Sequence, residues 1–599
     1  MRRRIVAVVT AAALVGTAAL FGGTPGASAK SEKTLTMSIA QIKTFNPFIA
    51  YYDSELTILG SIYPSLTQFD ANNNPAPYLA TSWTQSADKL SWTFKIRQGL
   101  KWTDNQPITA KDAAWTFNLI MTNDDAATAN GSLVANFASV TAPDDSTLII
   151  KTKTPQANLL YIGVTGTGIP IVPQHIWESR VKGLKDNLNN QYPVIGYGPW
   201  KLTGYKPDQY ATLEANKDYY DSPPKADRLI LQYFKNDDAA IAALKSGQIS
   251  AAWNLPATGY KTLQDAKDVM AYQQIATRWT GVEINPGAKT RTGKPMGTGN
   301  PILADAKVRL AMAYAIDRET LVKKVLNGLG TPGQSYIPPA YTQWAWKPSP
   351  DEAVTFDLAK ANQILDAAGY LKKGDYRVDP KTNKQLAFRL GTHADEANDQ
   401  QIAPYLVGWF KSVGIKLTLQ PQSFSGLNDN LAKGDWDLLM DGWSTGADPT
   451  YLLSIQTCDT LPKDDGSGGN TDAFFCDPHY DELFKQQTGQ FDTKQRAAII
   501  SQMQDILYQA NADIMFYNNN ILWAVRTDKV ANFRTGQPDA SGSYPVQNLF
   551  VSWKQATPVG GKSSSSAGLW IGIGIAAVVV VAAGAFFALR RRSTAAERE

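Results

Sequence analysis

Between about residue 30 and residue 557 the chain alternates short runs of period two with longer runs of period three to four, the pattern of strands interleaved with amphipathic helices. In LSWTFKIR, Leu90 to Arg97, the alternation puts Trp92, Phe94 and Ile96 on one face of a strand. ITAKDAAWTFNLIM follows, with Thr109 and Asp112 in capping-box spacing ahead of an apolar-periodic helix. DDAAIAALKSGQISAAWNL predicts a helix stopped at Gly247 and then a buried strand. LADAKVRLAMAYAIDRETLVKKVLNGLG predicts two consecutive helices, with Asp305 and Asp317 as N-caps and with Gly328 and Gly330 ending the second. Further on, NADIMFYNNNILWAVR reads as a strand, a turn and a strand. Helices and strands that alternate without internal repeats predict an α/β architecture. A body of this length exceeds what one core supports and is expected to divide into two to four domains.

The two ends follow a different pattern. Arg2, Arg3 and Arg4 precede an apolar run from Ile5 to about Phe21, and Ala27-Ser28-Ala29 has the small-x-small form of a cleavage site. Residues 1–29 therefore read as a secretory signal peptide cut after Ala29. At the other end, residues 567–589 carry no charge, and about 20 helical residues cross a hydrocarbon core. Arg590, Arg591 and Arg592 follow at once, which predicts a single transmembrane helix with residues 590–599 in the cytoplasm. A Leu-Pro-x-Thr-Gly sorting sequence is absent. Just before this run, Ala556 to Gly568 is rich in Gly and Ser, so residues 558–566 are expected to be a flexible tether. The chain reads as an exported body held on the outer face of the plasma membrane.

Charge narrows the partners. The formal net charge is +4, from 58 Lys+Arg against 54 Asp+Glu, and the excess lies in the arginines near the two ends. A nearly neutral body does not make a nucleic-acid-binding surface. The only cysteines are Cys458 and Cys476, and in an exported chain this pair is expected to form a disulfide rather than a metal site.

Catalytic motifs are missing: there is no P-loop, no His-Glu-x-x-His and no Gly-x-Ser-x-Gly. His175, His393 and His479 stand singly, and none is nominated for a role. The carboxylates could include a glycosidase-like pair, so an exported surface hydrolase remains an alternative. A sensor or adhesion module is a third reading, opposed by the seven residues that follow Arg592. Aromatic side chains, by contrast, are abundant: 16 Trp, 25 Tyr and 21 Phe, many beside turn residues, as at Trp200, Trp344, Trp346 and Trp443. Most must pack a core, but rigid aromatics in loops also suit a pocket that grips a ligand.

Several blocks, in order along the body, carry a resemblance. They are NPAPYLATSWTQSADKLSWTFKIRQGLKWTDNQPITAKDAAWTF from Asn74, GYGPWKLTGYKPDQYATLEANKDYY from Gly196, LKSGQIS from Leu244, ADAKVRLAMAYAIDRETLVKKVLNGLGTP from Ala304, and DLAKANQILDAAGY from Asp357. Together they resemble the family 5 extracellular solute-binding proteins, the peptide- and nickel-type receptors of ABC importers. The resemblance implies a two-lobed periplasmic-binding-protein-like fold of class II, with lobe I over about 30–280 and an extra subdomain at about 51–180. Lobe II would take 281–519, and residues 520–557 would return to lobe I, with crossings near Gly281–Asn285 and Phe516–Asn520. It implies no catalysis and no cofactor. The expected role is a monomeric receptor that closes over a peptide or other small solute and passes it to permease and ATPase subunits. Many relatives are tethered by a lipid-modified cysteine, which the mature N-terminus lacks, so the C-terminal helix would take over that task.

Peptide-binding relatives carry Trp-x-x-Asp-x-x-[Asp/Glu]-Pro in a segment whose first Asp pairs with the ligand's α-ammonium. Here Trp443 to Pro449 is one residue shorter, and the acidic position falls on Thr445 or Gly446. Asp441 or Asp448 could stand in, although Asp448 equally reads as a turn residue before proline. Oligosaccharides are therefore an alternative ligand class, since tryptophan faces suit sugar rings. The resemblance places Trp443, Ser444 and Thr445 on the cleft wall, with Trp253 and Tyr51 as further contacts.

Overall fold

The computed structural model describes residues 32–559 apart from 71–73, 163–167, 470, 535–536, 538–542 and 545–548. The leader at 1–29 and the apolar run at 567–589 lie outside the described residues, among which no helix is long and apolar enough to cross a membrane.

Two mixed sheets organise the body. The first has eight strands in the spatial order Ser543–Tyr544, Val269–Gln274, Ile521–Arg526, Ala251–Trp253, Thr34–Ile39, Arg228–Tyr233, Tyr210–Ala215 and Trp200–Lys206. The second has six, in the order Gly330–Pro332, Asp513–Asn519, Trp279–Ile284, Leu438–Asp441, Ala387–His393 and Lys416–Gln422. A separate antiparallel sheet of four strands lies within 80–152. Its strand Ser91–Ile96 buries Trp92, Phe94 and Ile96, the face that alternation marks.

Helix boundaries follow local chemistry. Helix Ala110–Thr122 starts on a capping box: the Thr109 side chain accepts from the Lys111 N–H, and Asp112 accepts from the Thr109 N–H at 3.0 Å. Asp305 and Asp317 cap helices Ala306–Tyr314 and Arg318–Lys324. Gly247, in the left-handed region at φ 76°, stops helix Asp237–Ser246. One boundary differs from expectation. Helix Arg318–Lys324 ends before Gly328; Asn327 and Gly328 make the turn with φ 51° and 82°, and Gly330 already opens an edge strand.

The stretch 511–526 is also resolved differently from a simple strand-turn-strand. Asp513–Asn519 and Ile521–Arg526 are both strands, but they lie in different sheets, and Asn520 is where the chain crosses from one to the other. Asp513–Asn519 is buried along nearly its whole length, as befits a strand covered on both faces. The other crossing runs through 275–278, between strands Val269–Gln274 and Trp279–Ile284, a few residues before Gly281–Asn285. Each lobe has its own core. Trp177, Trp200 and Trp553 pack in lobe I; Phe388, Phe410 and Phe516 pack in lobe II. A disulfide joins Cys458 to Cys476.

Candidate ligand-binding cleft

A cavity of about 480 Å³ lies between the two lobes, and both contribute to its wall. Lobe II opens on it with the C-terminal ends of strands Ala387–His393 and Leu438–Asp441, which run parallel or next to one another in the sheet. Strand carboxyl ends are where open α/β sheets take ligands, because the chain leaves the sheet there and side chains converge. Lobe I contributes the start of helix Asp53–Ile62 and the end of strand Ala251–Trp253. Around the rim the lobes touch: the Ala157 N–H donates to the Thr488 carbonyl at 2.7 Å, Lys463 pairs with Asp124, and the Tyr52 ring meets Phe424 edge-on at 4.8 Å.

All five residues expected at the site line this cavity. Tyr51 is exposed, Trp253 half-buried against Trp523, and Trp443 half-buried with its indole N–H in loose contact with the Asp472 carboxyl. Ser444 and Thr445 belong to a segment tied by its backbone to the crossing at 275–278. The Trp279 N–H donates to the Trp443 carbonyl at 3.1 Å, and the Thr445 N–H donates to the Thr277 carbonyl at 2.9 Å. Gly442 makes that approach feasible, since a Cβ there would sit 1.9 Å from the Trp279 carbonyl oxygen. Thr445 is largely covered, and its carbonyl accepts from the Tyr341 hydroxyl at 2.8 Å.

Neither acid offered by that segment is free. Asp448 is buried in an ion pair with Arg496 at 2.6 Å and also accepts from the Thr450 N–H. Asp441 accepts from Arg278 at 3.0 Å and from the Gly442 N–H at 2.7 Å. The reading of Asp448 as a stand-in for the ligand's partner is thus corrected: its charge is balanced within the protein.

Sequence reasoning passed over a second group. His393, at the end of its strand, bonds through Nδ1 to Asp399 at 2.8 Å and stacks on Phe424. Glu396 and Asp399 begin helix Ala397–Ser412, close enough to His393 for the three to meet at one ion. Burial works against the His393 charge, but Asp399, Glu396 and Asp441 outweigh it and raise its pKa to about 9. Burial lifts Glu396 to about 7, aided by Asp399 and Asp441 and opposed by His393 and Arg278. Asp53 is raised by burial and by Asp441, with Arg278 opposing. Burial beside Asp238 and Asp395 brings Asp237 to about 6. The spacing His-x-x-Glu-x-x-Asp in HADEAND is the one signal that could have found this group, because it stacks three ligands at a strand-to-helix junction.

The wall as a whole is acidic: seven carboxylates against Lys235, Arg278 and His393. After the pairs Arg278–Asp441, His393–Asp399 and Arg496–Asp448 are formed, Asp53, Asp237, Asp395 and Glu396 keep carboxylates with no ion pair or hydrogen bond among the described residues.

Comparisons with known proteins agree on the fold. The model for bacterial extracellular solute-binding proteins, family 5 Middle, matches residues 74–460. The oligopeptide-binding protein AppA of Bacillus subtilis (strain 168) is 27% identical over 488 residues, covering 81% of this chain and 86% of AppA. OppA of the same strain, also named an oligopeptide-binding protein, is 25% identical over 552 residues, covering 87% and 95%. Among solved structures, AppA in complex with a nonapeptide superimposes with a TM-score of 0.75 at 23% identity, over 89% of this chain and 100% of that one. NikZ of Campylobacter jejuni in complex with Ni(L-His) gives 0.74 at 21% identity, over 88% and 99%.

Proposed function

We propose, from the premise that the chain belongs to the bacterial extracellular solute-binding proteins of family 5, that it is the peptide-capturing receptor of an ABC importer. The observation that carries this reading is the cleft, a single cavity walled by two lobes that the backbone joins at 275–278 and at Asn520. Hinges of a few residues let rigid lobes part and close around a solute. The protein is a binding receptor and not an enzyme: it acts by holding its ligand and delivering it to permease and ATPase subunits.

Export and anchoring belong to the same proposal. The leader at 1–29 supports secretion, and the uncharged run 567–589 followed by Arg590–Arg592 supports a single span with its C-terminus inside. A tethered receptor stays at high effective concentration near its permease. Truncation after Ala556 should move the protein from the membrane fraction to the medium.

Native mass spectrometry of the protein purified from cells grown in a peptide-rich medium tests the ligand class. Adducts differing by amino-acid residue masses are expected. Adducts spaced by sugar units would replace the peptide reading with an oligosaccharide receptor, and steady consumption of the bound solute would overturn the receptor reading itself.

A further inference from the structure

We infer that the cleft selects a cationic group on its ligand, a peptide's α-ammonium or a basic side chain, and that Glu396 is the carboxylate that receives it. Glu396 takes over the role of the acid missing between Trp443 and Pro449, and Asp53 adds charge from the opposite lobe. This rests on the receptor reading above and names the chemistry its site recognises.

Three independent observations converge. First, the charges within the cleft do not balance. Arg278 is held by Asp441 and His393 by Asp399, so among the described residues Lys235 is the one lining cation without an ion pair, set against the four unpaired carboxylates of Asp53, Asp237, Asp395 and Glu396. Glu396 and Asp53 both line the cavity with unpaired carboxylates, one from each lobe. Second, Tyr517 is buried with no well-formed hydrogen bond to its hydroxyl, Thr280 being a loose polar neighbour, and it too lines the cavity. Its charge environment is dominated by Asp399, Glu396 and Arg278, which places that hydroxyl in the electrostatic neighbourhood of Glu396. A buried unsatisfied hydroxyl carries a desolvation cost that a ligand N–H donor would relieve. Third, the segment that would otherwise supply the acid is locked. Its backbone is bonded to 277–279, and its two acids are paired at either end.

An ammonium also meets the condition under which Glu396 sits. The Glu396 carboxylate lines the cavity with no ion pair or hydrogen bond among the described residues, the neighbouring His393 being taken by Asp399, and a cation within the closed cleft supplies the missing counter-charge. Tyr52, Phe424 and Trp443 line the same cavity, and lobe closure over a ligand would remove water from it and strengthen a charge pair that forms there.

The test titrates the full-length protein in detergent with trialanine, N-acetyl-trialanine, trilysine and spermidine, reading affinity by calorimetry. Trialanine should bind more tightly than its acetylated form by on the order of 30-fold or more, the loss expected when one partner of a desolvated charge pair is removed. Trilysine should bind at least as well as trialanine. Glu396→Gln should cost trialanine a similar factor while leaving N-acetyl-trialanine unchanged, a change in discrimination that a merely structural role would not produce. Tyr517→Phe should weaken trialanine more modestly. Circular dichroism would establish that each variant is folded. Equal affinity for free and blocked amines would overturn the inference with the peptide receptor still standing. Spermidine bound through Glu396, with every peptide refused, would keep the cation site and overturn the peptide reading. Saturation by Ni(II) alone, abolished by Glu396→Gln and blind to the amine, would assign His393, Glu396 and Asp399 to a metal instead. If none of these probes binds, the inference falls.

Discussion

Replacing Asp448 by asparagine should loosen lobe II while leaving ligand recognition nearly intact. The Asp448 side chain is 4% exposed and that of Arg496 is 6%, with 2.6 Å between Oδ2 and Nη1. Arg496 also donates to Gln487 at 3.0 Å and to Thr450 at 2.8 Å, and its guanidinium lies 4.9 Å from the Trp344 ring centroid. Asparagine can still accept from the Thr450 N–H, but it cannot balance the guanidinium. Breaking a buried pair by removing one partner costs about 3–5 kcal/mol, because the remaining charge is stranded away from water. A double variant, Asp448→Asn with Arg496→Met, should recover much of that loss, since an apolar replacement removes the stranded charge together with its partner.

Urea unfolding followed by circular dichroism and tryptophan fluorescence would measure the stability change, and calorimetry with trialanine would measure binding. The expected result is a lower unfolding free energy for Asp448→Asn, partial recovery in the double variant, and affinities within about threefold of one another, a difference worth less than 1 kcal/mol. The opposite pattern, unchanged stability with binding reduced by a hundredfold, would make Asp448 the ligand's partner and refute the account of it as a structural ion.

Three further substitutions test other parts of the structure. Glu283, Asp472 and Asp513 are buried together in lobe II, and burial raises all three, Asp513 to about 7 even against its bond from Gln456. A carboxyl raised in the fold stabilises below its ordinary pKa and loses that contribution as pH climbs through the raised value, so Asp513 should withdraw on the order of 4 kcal/mol between pH 4 and pH 7. Asp513→Asn should flatten this fall in thermal melts at pH 5 and pH 8; a wild-type protein that melts no lower at pH 8 would contradict the burial argument. Gly442→Ala should both destabilise the protein by about 1–3 kcal/mol and weaken trialanine binding, because its Cβ would press on the backbone at Trp279 and Thr280 and displace Trp443. Gly204→Ala, where no atom lies within 4 Å of the added Cβ, should be nearly neutral in the same melts.

What was legible in the amino-acid order was whatever is decided within a few residues. The capping box at Thr109 and Asp112, the caps at Asp305 and Asp317, and the stop at Gly247 each depend on backbone groups one to four positions away. Strand Ser91–Ile96 was readable because its period is a local property. Long-range choices were not readable in the same way. Nothing in DIMFYNNNILWAVR distinguishes a hairpin from two strands in different sheets, since that depends on which distant strands pair with each. The state of Asp448 depended on Arg496, 48 positions later, and His393 looked solitary because Asp399 becomes its partner only when the helix turns back toward the strand end. The two acids offered by the 441–449 segment and the free acid at 396 are the same residue class; only tertiary packing separates a neutralised carboxylate from an available one.

That separation bears on how the cleft could close. With the cleft empty, closure gathers Asp53 from lobe I and Glu396 from lobe II into one volume that already holds Asp441, and the Asp441 charge raises the pKa of both. Arg278, on the crossing itself, offsets part of this, but it is engaged with Asp441 and cannot neutralise every acid around it. Like charges brought together in a poorly hydrated space disfavour the closed arrangement, and a ligand can shift an equilibrium between two states only by its difference in affinity for them. A cation bound at Glu396 has such a difference, because it meets carboxylates from both lobes in the closed state and from one lobe in the open state. A neutral or anionic solute of the same shape lacks it. On this account recognition and closure draw on one electrostatic term, and the position of the acid along the chain matters less than its place within the closed volume.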